Sequence, residues 1–184
     1  LLRYLVRLIP SPSVSYTSLR SIAGSLGVEL RNLKRTSYGA LEFDAFARFA
    51  SDMDLFVAAV EPLSTVEFVK DLNLPAPHRT DEQLVEQARE LFNRERYWES
   101  HEVLEALWRR LSGPEKSFVQ GLILVCAAFV HSQKGEMEVA LGVLRRAERQ
   151  LSWREPSYHS IDVASLRKEV GSILQTGRFH SFTI

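Results

Sequence analysis

Cysteine is almost absent: Cys126 is the one cysteine in 184 residues, which excludes an intramolecular disulfide framework and a cysteine-built zinc knuckle and points to a reducing compartment. A charge excess is missing too. Twenty-three Lys and Arg face twenty-three Asp and Glu, so no bulk field draws the chain to nucleic acid or an anionic membrane. The longest apolar run, 118–130, is interrupted by Gln120 and Gly121 and falls well short of the roughly 20 residues that span a bilayer. It reads as a buried helix, and no membrane association is expected. The segment Leu1–Val6 carries Arg3 among apolar residues with no small-residue cleavage site behind it, so it reads as folded chain rather than signal peptide. A cytoplasmic location is the expectation. Phosphate-binding loops of the Walker or G-x-G-x-x-G kind are missing, as is a G-x-S-x-G nucleophile elbow.

What is present is ordinary globular composition, 45% hydrophobic and 25% charged, enough for one or two domains at roughly 150 residues each. Leu74-Pro75-Ala76-Pro77-His78 places two prolines in three residues, which interrupts helix and central strand alike. The expected division is therefore a domain over 1–74, a linker over 75–79 and a second domain over 80–184. Eight basic and eight acidic residues precede Ala76, and fifteen of each follow, so neutrality holds in both halves. No internal repeat stands out in the sequence.

The first half alternates element types. Leu2–Ile9 has strand periodicity, Ser15–Leu26 has helical spacing ending at Gly27, and Val28–Thr36 with Leu41–Ala50 read as a hairpin around Ser37-Tyr38-Gly39. Asp52–Val60 reads as a helix and Leu63–Leu72 as a strand. The order β-α-β-β-α-β is the ferredoxin-like plan. Its solvent face is expected to hold Arg3, Arg7, Arg31, Arg35 and Arg48 with Glu42 and Asp44, and Arg3 and Arg7 can pair across strands with the two carboxylates. RNA binding through this face is a weak alternative, since Phe46 is the one plausible exposed stacking residue and nucleic acid is otherwise disfavoured.

From Thr80 the pattern is helical, which makes the whole chain α+β: a ferredoxin-like domain followed by an all-α helical bundle. Thr80-Asp81-Glu82-Gln83 is a capping box. Helices are expected at about 98–111, 114–134, 136–153 and 160–175, the 114–134 helix lying central because it is apolar nearly all round.

The second helix of this half carries the chemistry. At about 100° per residue, Trp98, His101, Glu102, Glu105 and Trp108 gather within an arc of about 120°, while Val103, Leu104, Leu107 and Leu111 occupy the opposite side. Three readings compete for the polar side. It can be a pocket or interface for a ligand, a protein partner or a second copy of the chain. A divalent metal is the one cofactor the donors admit, with His101 and Glu105 as ligands and Glu102 as a third ligand or base of a metal-dependent hydrolase. Or it can be an internal polar network, with Glu105 bonded to Gln120 of the next helix. In an antiparallel hairpin about residues 112 and 113, His131 lies roughly 10 Å beyond His101, which disfavours a shared metal. Cys126, among apolar neighbours, reads as a core residue.

The fragments Leu91-Phe92-Asn93, Tyr97-Trp98-Glu99, His101-Glu102-Val103-Leu104-Glu105, Trp108 and Gln120-Gly121-Leu122-Ile123, then His131 and Gly135, form an ordered combination. Over about residues 80–152 it resembles the helical family called domain of unknown function 309. That family commonly has glycine where this chain has Glu95, and often asparagine where it has Glu136. The resemblance implies a small helical bundle and supplies no catalytic residues. With a helix of two unlike faces and no catalytic signature, the leading expectation is a non-enzymatic binding or regulatory protein.

Overall fold

A computed structural model describes residues 1–12, 14–74 and 77–184, which divide into two compact units, Leu1–Pro77 and His78–Ile184. Of the expected linker, Pro75 and Ala76 lie outside the described residues.

The first unit runs β1 (Leu2–Pro10), α1 (Tyr16–Ser25), β2 (Glu29–Arg35), β3 (Leu41–Ala47), α2 (Ala50–Val60) and β4 (Ser64–Asp71). Its sheet has the order β2-β3-β1-β4, every neighbouring pair antiparallel. Ser15 caps α1 by accepting from the Ser18 N–H, and Ser18 returns the bond. Tyr4, Val6, Leu8, Leu41, Phe43, Ala45 and Ala47 pack against Leu19, Ala23, Met53, Phe56 and Val60 of the helices. Strand β3 stops at Ala47, earlier than the alternation suggests, because the Phe49 N–H is taken by Asp52 Oδ2 at 3.0 Å to start α2.

The opposite face departs from expectation. Arg7, Glu42 and Asp44 are 2%, 1% and 2% exposed rather than solvated. The register sets Arg7 directly across from Glu42. Arg7 donates to Glu42 Oε2 at 3.1 and 2.6 Å, Lys34 reaches Oε1 at 2.7 Å, and Arg3 and Asn32 converge on Asp44 Oδ2 at 3.1 and 2.6 Å. Such charges tolerate burial because each is matched; removing one partner would leave the other desolvated.

The second unit holds α3 (Asp81–Asn93), α4 (Tyr97–Trp108), α5 (Gly113–Gln133), α6 (Met137–Gln150), a two-residue hairpin of β5 (Ser157–Tyr158) and β6 (Ile161–Asp162), and α7 (Val163–Thr176). The capping box is formed: Thr80 Oγ1 accepts from Gln83 N–H at 3.3 Å and Gln83 Oε1 accepts from Thr80 N–H at 3.0 Å. Helix α5 is long and apolar enough to cross a membrane by length and composition, yet most of Phe118–Val130 is buried in the core of this unit. Gly121 is where α6 comes closest: a Cβ there would meet Leu151 Cδ2 at 3.0 Å and the Gln150 carbonyl carbon at 3.1 Å. Helix α7 begins later than the pattern suggests because Asp162 provides the cap, accepting from the Ser165 N–H at 2.9 Å.

An internal repeat unseen in the sequence is plain in the backbone. The α3–α4 turn and the α5–α6 turn correspond at a spacing of 40 residues: Arg94 with Lys134, left-handed Glu95 (φ 56) with left-handed Gly135 (φ 81), and Arg96 (φ −93, ψ 54) with Glu136 (φ −89, ψ 62). The hydrogen bonds correspond too, Arg96 N–H to Leu91 O at 2.9 Å and Glu136 N–H to His131 O at 3.0 Å. Leu84, Val85, Ala88, Val103, Leu104 and Leu111 recur unchanged as Leu124, Val125, Ala128, Val143, Leu144 and Leu151. The unit is two helix hairpins, each helix packed on its neighbours in the chain, followed by α7, the plan of stacked helical repeats.

Candidate functional site

Helix α4 starts directly from the left-handed turn at Glu95, and its buried stripe is Tyr97, Glu99, Ser100, Leu104 and Leu107. That stripe turns the expected polar-aromatic side outward. Trp98, His101, Glu105 and Trp108 are half-buried and Glu102 is exposed.

The structure divides these residues between two places. Near the start of α4, the Trp98 and His101 rings stack with centroids 5.6 Å apart and planes 7° from parallel. Burial pushes the His101 imidazole below its usual pKa, and the Glu105 carboxylate opposes that shift. His101 Nδ1 is buried without a hydrogen-bond partner. At the other end, Trp108 and Gln120 line one open cleft of about 230 Å³ with Gly113, Lys116, Ser117 and Gln150. The Lys116 ammonium sits 4.1 Å from the centroid of the Trp108 ring, within reach of a cation–π attraction. Glu105 does not bond Gln120; it faces Arg109 on its own helix at 3.6 Å, where the Arg109 side chain is largely exposed and that of Glu105 partly so.

His101 and Glu105 are the two expected metal donors, and among the described residues no three His, Cys, Asp or Glu side chains gather where they could hold an ion. His131 is engaged elsewhere, 2.5 Å from Glu136 across the α5–α6 turn. That contact holds the Glu136 carboxyl below its ordinary range.

Two residues of α4 escape the sequence argument. Glu99, 1% exposed, accepts two bonds from the Arg96 guanidinium at 2.6 and 2.9 Å; the i,i+3 spacing is its signal. Ser100 donates to the Ala88 carbonyl at 2.8 Å and receives the Cys126 thiol at 3.4 Å. It falls within the aliphatic arc of the helix, where a hydroxyl should have prompted a search for a buried acceptor. Burial lifts the Cys126 thiol to about 12, so it is no nucleophile near neutral pH.

On the first unit's sheet, Tyr38 accepts from Arg7 and donates to Glu67, both at 3.0 Å. Phe46 is half-buried, with the Arg31 guanidinium 4.9 Å from its centroid.

The molecule is thus an α+β chain whose second unit is built of helical hairpins bearing a polar-aromatic cleft. Residues 85–143 of that unit match the model of a family described as domain of unknown function (DUF309), which bears out the resemblance in that segment. The match spans both left-handed turns and the whole of α4 and α5. No curated protein sequence matches the chain.

Proposed function

We propose that the chain is a non-enzymatic binding module whose contact site is the cleft at the end of the α4 polar-aromatic side. One observation carries this reading: Trp108 and Gln120, on separate helices, line the same open cleft, roofed by the Lys116 ammonium over the indole. A flat aromatic, a cation, two side-chain amides and a hydroxyl suit a protein segment that presents a carboxylate beside its backbone amides. The metal reading finds two donors, and the RNA reading finds its one stacking ring engaged by Arg31, so neither is favoured. The antiparallel order β2-β3-β1-β4 with both helices packed on one face supports reading the first unit as ferredoxin-like.

The test is a titration of the isotope-labelled full chain with a blocked acidic tetrapeptide of glutamate and aspartate. Saturable amide shifts at Lys116, Ser117 and Gln120 are expected, and Lys116→Ala should abolish them. Shifts that never saturate, or that persist unchanged in Lys116→Ala, would sink the cleft as a carboxylate site.

A further inference from the structure

After α7, Gly177 adopts the left-handed conformation (φ 68) while its N–H bonds the Ile173 carbonyl at 2.8 Å, which ends the helix and turns the chain aside. Glycine is suited to that turn because no Cβ opposes it. The C-terminal segment 178–184 has no regular secondary structure of its own. It is held by the first helix of each hairpin and, through His180 Nε2 at 2.9 Å from Glu169 Oε2, by α7. Phe182 meets Phe92 of α3 at 5.4 Å and Phe129 of α5 at 5.5 Å, and Phe179 meets Phe129 at 5.1 Å. Ile184 is 9% exposed within the core, while His180, Ser181 and Thr183 between these anchors face outward.

The polar contact with α3 is of a particular kind. Asn93, the last residue of α3, accepts the Ile184 N–H on Oδ1 at 2.9 Å and donates from Nδ2 to the Ile184 carbonyl at 3.4 Å. A side-chain amide that meets both backbone groups of one residue reads an extended main chain and is indifferent to the side chain there. The corresponding position in the second hairpin, Gln133, also uses its amide on main chain, donating to the Glu95 carbonyl at 3.1 Å.

We propose that Phe92 and Asn93 of α3 with Phe129 of α5 form a peptide-binding site, and that 178–184 is its intramolecular occupant. The class of ligand is an extended peptide with two aromatic residues three apart and an aliphatic residue two further on, as in Phe179, Phe182 and Ile184. Backbone recognition by Asn93 fixes its position, and the aromatic pair supplies the burial. A tethered occupant competes at an effective concentration on the order of millimolar, so a free peptide of the same sequence is held off until the tether weakens. These residues are separate from those of the Trp108 cleft, so either site can fail without the other.

The experiment is fluorescence anisotropy with a labelled synthetic peptide of the sequence Arg178–Ile184, titrated with the full chain and with its Phe182→Ala variant. The variant should bind at least tenfold tighter than the unaltered chain, and adding Asn93→Ala should weaken that binding at least fivefold. A folded Phe182→Ala variant that binds no peptide, or binds no tighter than the unaltered chain, overturns the proposal, as does indifference to Asn93→Ala. If Phe182→Ala does not fold, amide exchange of the unaltered chain decides. An Ile184 amide exchanging at least a hundredfold faster than those of Val125 and Cys126 supports an exchangeable occupant; equal rates make the segment core packing and end the idea.

Discussion

The two helix hairpins share a backbone and differ in what they carry. Both turn through a left-handed residue, Glu95 in one and Gly135 in the other, and both bury a leucine at the matching position of the second helix, Leu104 and Leu144. Where the first has Trp98, Glu99, Ser100 and His101, the second has Glu138, Val139, Ala140 and Leu141. Ser100 and Ala140 are both fully buried, so a small side chain is what the helix crossing requires and the Ser100 hydroxyl is an addition to it. Recurring positions therefore serve the fold. Positions that break the correspondence are where function is to be sought.

The largest break in the correspondence is at Phe129, whose counterpart in the first hairpin is Arg89. Phe129 is 4% exposed at the centre of a ring cluster with Phe92, Tyr97, Phe179 and Phe182, whereas Arg89 is partly exposed and paired with Glu86 at 2.6 Å. Phe129→Ala should lower unfolding free energy by about 3–5 kcal/mol, measured by chemical denaturation. Arg89→Ala should change it by less than about 1 kcal/mol. Similar losses from both would mean that the hairpins share their load evenly and that the aromatic cluster is not a special feature of the second.

A smaller effect of opposite sign separates the turns. Left-handed backbone strains a residue that has a Cβ, and at Gly135 no atom lies within 4 Å of where a Cβ would sit, so the cost of Gly135→Ala is conformational alone, about 1 kcal/mol. Glu95→Gly should move stability upward by somewhat less, about 0.5 kcal/mol, since glycine also enlarges the freedom of the unfolded chain. Destabilisation by Glu95→Gly would show that the glutamate is kept for its contacts.

How much of the molecule was legible depends on which forces are local. The strand and helix order of the first unit and the Thr80–Gln83 cap rest on signals within a dozen residues, and the structure bears them out. The pairing of Arg3 and Arg7 with Asp44 and Glu42 was legible from strand adjacency and is formed; their burial, and Lys34 as a partner of Glu42, were not, because strand alternation marks a face and cannot say whether that face is solvated. The repeat was hidden for a different reason. Its identical residues are scattered among the apolar positions of the helices, and the turns that bring them into correspondence, at Glu95 and Gly135, have side chains with nothing in common. Of the candidate site, residue types on one helix were readable, and the Trp98–His101 stack joins two residues of that helix; the Trp108–Gln120 cleft depends on what α5 brings alongside.

The finest test of the comparison lies at His101, whose counterpart is Leu141. Burial lowers the His101 pKa in the folded chain, while the unfolded chain titrates near the ordinary value of about 6.5. As pH falls through that value the unfolded state takes up the proton first, so folding is progressively disfavoured; the contribution is fully present above about pH 7 and is lost toward lower pH. His101→Leu imports the non-titrating counterpart, and the gap in unfolding free energy between variant and unaltered chain should widen in favour of the variant from about pH 8 down to about pH 5. Glu105 opposes the shift, so Glu105→Gln should steepen the unaltered chain's loss over the same interval. A pH-independent gap would show that His101 charges as freely in the folded chain as in the unfolded one. The Glu105 carboxylate would then offset the burial of the ring in full, and His101 would differ from Leu141 in the polarity it brings to the stack with Trp98 and not in any pH-dependent share of stability.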